Sequence, residues 1–168
     1  MKQSSIYTLQ FSGLKLGEHF FEFDLENTFF DSCDSFGILG GIGKIIARLE
    51  KKETMMLLSL NLKTEVNVLC DRCNEMTRLM VNGNLELIYK FGDEDSLDET
   101  LIVLPYDSFQ IDLFQPSYEL FVVSLPSRFL HENEACDPEI IKYLSNPNES
   151  KTENQSMDPR WSELDKLN

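Results

Sequence analysis

Apolar and polar residues alternate along the middle of the chain, from residue 44 to residue 91. Three segments carry this two-residue period, at 44–52, 54–70 and 75–91. Such a period places successive side chains on opposite faces of a strand, so each segment predicts a strand with one buried face. Together the three strands predict an antiparallel meander. The residues that share the buried parity are Leu58, Leu60, Leu62, Val66, Val68 and Cys70, followed by Leu85, Leu87 and Tyr89.

The chain before the meander predicts two short strands and a connection. The strands lie at 6–11 and 20–25, and the connection covers residues 27–44. The connection is rich in glycine, but the spacing fits neither the GxxxxGK(S/T) nor the GxGxxG pattern of phosphate-binding loops. We therefore predict a turn with glycines at positive φ. The glycines are Gly37, Gly40, Gly41 and Gly43.

Further along the chain, the sequence predicts an interruption of the third strand of the meander, an additional strand and a helix. Asn82-Gly83-Asn84 predicts a bulge or a tight turn. Beyond the acidic loop 92–100, residues 101–110 predict a further strand that ends in a turn. Residues 113–125 favour a helix over the competing interpretation, a buried strand.

The ends of this helix carry start and stop signals. Asp112 is a suitable N-cap, Pro116 fits the first turn, and Pro126 ends the run. The predicted apolar stripe comprises Leu113, Leu120, Val123 and either Phe121 or Val122.

The end of the chain predicts a linker and a second helix. Residues 146–157 carry almost no apolar side chains and predict a flexible polar linker. In residues 158–168, Asp158 and Pro159 predict a helix start, and the segment is typical of a docking helix. Its apolar face consists of Trp161, Leu164 and Leu167. We expect an α+β fold with a single domain at 1–145: an antiparallel β-sheet meander that could close into a barrel, one main helix, and a short tethered C-terminal helix.

Charge and hydropathy narrow the choice of partner and compartment. The chain has 29 acidic and 15 basic residues, a formal net charge of −14. This charge repels phosphate, so it disfavours non-specific nucleic-acid binding and leaves open a basic protein partner or a local RNA contact. The chain lacks a signal-peptide pattern and any apolar run near the roughly 20 residues that cross a bilayer. We expect a cytoplasmic protein with no membrane partner.

Three cysteines and a histidine form a candidate metal site. Cys70 and Cys73 make a CxxC at the predicted tip of the hairpin between the second and third strands of the meander, and Cys136 comes sixty-odd residues later, with His131 close before it. Together they supply the Cys₃His set that zinc binds in a tetrahedron. Cys33 has no neighbouring ligand pattern and is predicted to be a packing residue.

Other roles for these thiols remain open. Buried free cysteines behave as small hydrophobes, so the same residues could simply pack. A redox dithiol normally opens a helix after a strand, but the residues after Cys73 lead into another predicted strand. A nucleophilic cysteine would need a base, and only His19 and His131 are present.

Five basic residues are candidates for contact with RNA or a partner. On one strand, Lys44, Arg48 and Lys52 share a face, and Arg72 and Arg78 flank the hairpin tip. The guanidinium of Arg72 could offer two hydrogen bonds to a phosphate. The competing interpretation is a solvated strand face on which these cations pair with nearby carboxylates.

Several motifs in this order resemble the bacterial YceD family of large ribosomal RNA subunit accumulation proteins. These are VxVxCxRC at Val66–Cys73, a DLx(5)ELx(4)LP segment at Asp112–Pro126, Hx(4)C at His131–Cys136, and the closing DPRWSELDKL. The resemblance covers roughly residues 40–168. The family positions that it marks here are Cys70, Arg72, Cys73, Glu119, Leu125, Pro126, His131 and Cys136.

The resemblance implies a non-enzymatic role in large ribosomal subunit biogenesis and 23S rRNA accumulation. Members of the YceD family are cytoplasmic, with relatives in plastids, and are commonly encoded beside a large-subunit ribosomal protein. The implied partner is rRNA or a large-subunit ribosomal protein, with no small-molecule substrate. Two alternatives stay open: an acidic chaperone for a basic ribosomal protein that makes no RNA contact, and a CxxC thiol-redox protein.

Overall fold

The computed structural model of the chain describes residues 6–31, 37–93, 98, 100–131 and 136–145. Strands predominate among these residues, and the helices are few and short. In chain order the elements are β1 (Thr8–Gln10), β2 (Gly17–Leu25), α1 (Asn27–Phe30), β3 (Ile38–Lys51), β4 (Met55–Leu69), β5 (Met76–Phe91), β6 (Leu101–Leu104), β7 (Gln110–Asp112), α2 (Phe114–Ser124) and α3 (Pro138–Ser145).

The main sheet has the strand order β2-β3-β4-β5-β6. Its first four strands pair antiparallel with their chain neighbours, so the predicted meander is confirmed. β6 then adds to β5 in parallel, which requires the chain to cross back between the two strands. β1 and β7 form a separate two-stranded sheet, and the main sheet does not close into a barrel. The fold is α+β, as predicted.

The inner face of the main sheet carries the hydrophobic core. Along β4, every second side chain from Met56 to Val68 is buried, as the alternation predicts. Phe29 and Phe30 from α1 pack edge-on against Phe121 from α2, with ring centroids 6.0 and 5.5 Å apart. The two helices therefore cover the same face of the sheet. Among the described residues, the side chains on the opposite face are exposed or half-buried.

The predicted connection at residues 27–44 is wrong at both ends. Helix α1 occupies its start, and β3 begins at Ile38, so Gly40, Gly41 and Gly43 lie within a strand. A Cβ on Gly41 would lie 2.7 Å from the carbonyl oxygen of Glu65 on β4. Close approach of two backbones accounts for glycine at this position, whereas the predicted positive φ is found at Gly37 and Gly40.

The bulge or turn predicted at Asn82-Gly83-Asn84 is also wrong. β5 runs through this point, and its register with β4 is unbroken. A Cβ on Gly83 would lie 2.8 Å from Cδ1 of Leu120 and even closer to Ser124 Oγ. Glycine is needed because α2 packs directly on the strand.

The helix predicted at 113–125 is confirmed as α2, with Pro116 in its first turn. The predicted N-cap is wrong by one residue, because the N-cap position is Leu113. The carboxylate of Asp112, just before it, accepts a 2.9 Å hydrogen bond from the backbone amide of Phe114. The predicted stripe is wrong at Val123, whose side chain is 83% exposed. The buried face instead passes through Ser117, Leu120 and Phe121, together with Leu113 just before the helix.

The described C-terminal residues contain a helix that the sequence did not predict. This helix is α3, which begins two residues after Cys136. The linker at 146–157, the helix at 158–168 and Cys33 lie outside the described residues, and the division into domains stays a prediction. None of the helices in the described ranges has the length and apolar character needed to cross a membrane.

Candidate metal centre

The turn between β4 and β5 presents two buried thiols, as the predicted hairpin tip requires. The backbone amide of Cys70 donates a 2.8 Å hydrogen bond to the carbonyl oxygen of Glu75. The backbone amide of Asn74 donates a second, also of 2.8 Å, to the carbonyl oxygen of Cys70. Asn74 takes the left-handed conformation, with φ of 58°, which asparagine tolerates better than most residues. Cys70 and Cys73 retain only 2% and 7% exposure. The turn, closed by these two hydrogen bonds, thus holds both sulfurs in the same buried cluster.

A second segment is held against this turn after α2 has ended. The amide of Asp71 donates to the carbonyl oxygen of Phe129, and the amide of Phe129 donates to a carboxylate oxygen of Asp71, each at 2.7 Å. These bonds fix the backbone two residues before His131. The imidazole of His131 consequently reaches the sulfur of Cys73, with 3.3 Å between Nδ1 and Sγ.

A third element, α3, brings Cys136 to the same place. The carboxylate of Asp137 caps this helix by accepting a 2.9 Å hydrogen bond from the amide of Glu139. Ile140 and Ile141 on α3 pack against the three cysteines and form a small core separate from the main one. The sequence did carry a signal for α3, since Asp137 and Pro138 repeat the N-cap and proline pattern noted at 158–159.

The four donor atoms lie within 4.8 Å of one another, so this set of residues could hold a metal ion. The sulfurs of Cys70 and Cys136 are 3.7 Å apart, and Nδ1 of His131 is 3.4 Å from the sulfur of Cys136. In a tetrahedron with standard zinc–ligand lengths, two sulfurs are about 3.8 Å apart and a sulfur and a nitrogen about 3.6 Å. The donors already lie close to these spacings.

The local environment separates the thiols in acidity. Burial raises the pKa of Cys70, but hydrogen bonds from the backbone amides of Cys73, Arg72 and His131 outweigh burial and lower it to about 6. Burial, and then hydrogen bonds with Cys70 and Cys73, raise the pKa of Cys136 to about 11. One sulfur is therefore favoured as thiolate, the form that binds metals, while another keeps a proton that a metal would displace.

Four of the five predicted contact cations pair with carboxylates on the exposed face of the sheet. The pairs are Lys44 with Glu22 and Asp24 at 3.5 and 3.6 Å, Arg48 with Glu18, Lys52 with Glu50 at 3.3 Å, and Arg78 with Glu65 at 3.3 Å. The fifth, Arg72, is exposed in the turn between Cys70 and Cys73, and no described carboxylate pairs with it. Contact with RNA or a partner at these residues stays a prediction.

The turn differs from a thioredoxin-type dithiol in the element that comes after it. The residue after the turn is Met76, where β5 begins, so the thiol pair does not open a helix. The convergence of a third thiol and an imidazole is typical of a metal-binding set and not of an isolated CxxC pair.

Comparison with known proteins assigns a family. The family model described as "Large ribosomal RNA subunit accumulation protein YceD" matches residues 58–168, which include all four cluster residues, the hairpin tip and α2. The match begins some way after residue 40, where the resemblance was expected to start. Searches of curated proteins and of solved structures returned no significant match. Because the family model matches well over half of the sequence, the chain belongs to the YceD family of large ribosomal RNA subunit accumulation proteins.

Proposed function

We propose that this protein is a non-enzymatic factor in large ribosomal subunit biogenesis, which promotes 23S rRNA accumulation by binding a ribosomal component. The family match over residues 58–168 carries the proposal. The proposed compartment is the cytoplasm, where such subunits are assembled. The protein would act as a binding surface, and the cysteine–histidine cluster would give that surface its shape.

A basic ribosomal protein is the partner that the charge distribution favours. The net charge is −14, and four cations of the exposed sheet face, Lys44, Arg48, Lys52 and Arg78, are paired with carboxylates. An RNA phosphate would have to compete with those carboxylates for these four cations and overcome the repulsion of the whole chain. A basic protein is instead attracted by the net negative charge, and this long-range attraction accelerates its association.

Direct RNA contact is a second candidate, and Arg72 is the observation that favours it. Its guanidinium is exposed at the hairpin tip and has no carboxylate partner among the described residues. A planar guanidinium can form two parallel hydrogen bonds to one phosphate. If this contact operates, Arg72→Gln should weaken RNA binding, whereas Arg78→Gln should change it little.

We further propose that the bound metal is zinc and that its role is structural. Three thiolates and one imidazole are a common ligand set of structural zinc sites, whereas catalytic zinc sites keep one coordination position open. The ion would join the hairpin tip, the segment after α2 and the start of α3, which are distant in sequence. Residues Cys70, Cys73, His131 and Cys136 would hold it.

A depletion experiment in the native host tests the biological role. Loss of the protein should lower the ratio of large-subunit to small-subunit rRNA. It should also lower the ratio of free large subunits to free small subunits on a sucrose gradient. Wild-type protein should restore both ratios, and Cys73→Ser should restore them less well. Unchanged subunit ratios after complete depletion would contradict the proposal.

A binding experiment separates the two candidate partners. A large-subunit rRNA fragment and purified basic large-subunit proteins would each be titrated across a salt series. The proposal predicts binding to at least one protein and weak or undetectable RNA binding at physiological salt. Tight RNA binding whose salt dependence corresponds to a few phosphate contacts would instead favour RNA as the partner, provided that Arg72→Gln abolishes this binding.

A further inference from the structure

A groove of about 660 Å³ lies between α2 and the edge of the main sheet. It is far from the cysteine cluster along β5, because its floor begins eight residues beyond the start of that strand. Its apolar lining is contributed by Leu85, Leu87, Tyr89, Ile102, Leu104 and Leu120. The volume lies within the roughly 300–1,000 Å³ range of protein binding pockets.

Carboxylates stand at the rim of this groove. Asp112 at the end of β7 and Glu119 on α2 both line it, and both side chains are exposed. The carboxylate of Glu119 accepts a 2.6 Å hydrogen bond from the side-chain amide nitrogen, Nε2, of Gln115, which holds it beside the groove. None of the lining side chains among the described residues is basic. The groove therefore joins an apolar floor to a negative rim.

These carboxylates differ from those on the opposite face of the sheet. On that face, acids such as Glu18, Glu22 and Glu65 are paired with cations of the same chain. No ion pair involving Asp112 or Glu119 is found among the described residues. Their charge is consequently available to a ligand.

An apolar anchor point also lies at the groove. Val123 on α2 lines it, although this side chain is 83% exposed and makes little use of its apolar surface within the fold. A ligand that covered Val123 and filled the space above Leu87 would remove apolar surface from water, and that burial drives association. A phosphate-rich ligand gains nothing from such a floor.

Resting on the proposed function, in which the partner is a basic ribosomal protein, we propose that this groove binds a cationic segment of that protein. Apolar side chains of the segment enter between Leu87 and Leu120. Its lysine or arginine side chains pair with Asp112 and Glu119.

The chain's own end is a poorer occupant by charge. Residues 158–168 contain the acids Asp158, Glu163 and Asp165 against the bases Arg160 and Lys166. A net negative segment is repelled by a negative rim, so charge complementarity selects a partner from outside the chain.

The test uses full-length protein and a panel of individually purified basic proteins of the large subunit. Binding to each would be measured by fluorescence anisotropy for wild type, Glu119→Lys and Val123→Glu. Both positions are exposed, so the fold should survive, which circular dichroism and thermal denaturation would check. The matched control is Glu53→Lys, which makes the same charge change at an exposed position of the β3–β4 turn that does not line the groove.

The proposal expects one panel member to bind wild type and Glu53→Lys alike, and to bind each groove variant at least about tenfold more weakly. A photocrosslinker at position 123 should attach to a segment of that protein in which basic and apolar residues are interspersed. Equal binding of all variants would overturn the groove assignment while leaving the proposed partner class intact.

Other outcomes are equally decisive. If no panel member binds wild type, the proposed partner class fails, and the groove assignment fails with it. Binding of a large-subunit rRNA fragment that is lost in Val123→Glu would reassign the groove to RNA. Crosslinking from position 123 to residues 158–168 of the same chain, in the presence of a bound panel protein, would show that the chain's own end occupies the groove and would overturn the proposal.

Discussion

Asp71 and Phe129 are joined by two reciprocal hydrogen bonds of 2.7 Å, although 58 residues separate them in the chain. The backbone of each residue donates to the other, and the acceptor on Asp71 is its side-chain carboxylate. This bracket lies beside Cys70 and two residues before His131. It therefore helps to bring the two halves of the cluster together through contacts of the chain itself.

Removal of the Asp71 carboxylate should weaken metal binding without removing a ligand. In Asp71→Ala, the amide of Phe129 loses its acceptor, and the segment that carries His131 is less well fixed. Loss of such a supporting group typically lowers metal affinity about 10-fold to 100-fold. Competition with a chromophoric zinc chelator measures this change.

Glu75→Ala provides the control for this experiment. Glu75 lies in the same turn and is exposed, and the contact it makes there is through its backbone carbonyl, which the substitution keeps. Its zinc affinity should stay within about twofold of wild type. Equal affinities for wild type and Asp71→Ala would show that the bracket has no part in organising the cluster.

Gly83→Ala should weaken the packing of α2 on β5. A Cβ there would lie 2.8 Å from Leu120 Cδ1 and closer still to Ser124 Oγ, so the side chains of Leu120 and Ser124 must move. We expect a loss of about 1–3 kcal/mol in the free energy of unfolding, as for overpacked cores. Urea denaturation measures it.

Gly13→Ala is the matched substitution, since nothing lies within 4 Å of a Cβ at that position. This variant should unfold at nearly the same urea concentration as wild type. If both variants unfold at the same concentration, the close packing of α2 on β5 is contradicted.

Tyr89 should make stability fall at alkaline pH. Burial raises the pKa of Tyr89 above its usual value near 10, and the charge of Asp112 raises it further. A raised pKa in the folded state means that the folded protein binds this proton more tightly. The resulting stability is fully present below pH 10 and is lost as the pH rises above it.

The comparison of wild type with Tyr89→Phe isolates this effect. The difference between their free energies of unfolding should be constant below pH 10 and should change above it, with wild type losing more. Tyr143→Phe serves as control, because Tyr143 is 84% exposed. Parallel pH profiles for wild type and Tyr89→Phe would contradict the prediction.

Local sequence pattern was sufficient for the meander and for half of the cluster. The parity that buries Leu58 and Val68 continues to Cys70, so alternation alone predicted the position of the thiol pair at the hairpin tip. The spacing of His131 and Cys136 then suggested the remaining ligands. The pairing of Asp71 with Phe129, which brings them close, is a tertiary contact with no local signature.

Other elements could not be predicted because tertiary packing determines them. An isolated helix as short as α3 is marginal in water, and packing of Ile140 and Ile141 on the cysteines stabilises it. The glycines of β3 and Gly83 resembled turn signals, yet they permit close approach by neighbouring elements. The parallel pairing of β6 depends on a chain crossing that residue periodicity does not encode.

Metal analysis of full-length protein purified without chelators tests the central claim, that distant thiols converge to hold a structural zinc ion. We predict one zinc per chain by mass spectrometry, a clearly smaller content in Cys136→Ser, and a lower unfolding temperature after removal of zinc by a chelator. Wild-type protein that is free of metal, fully folded and unchanged in unfolding temperature by added zinc would contradict the claim.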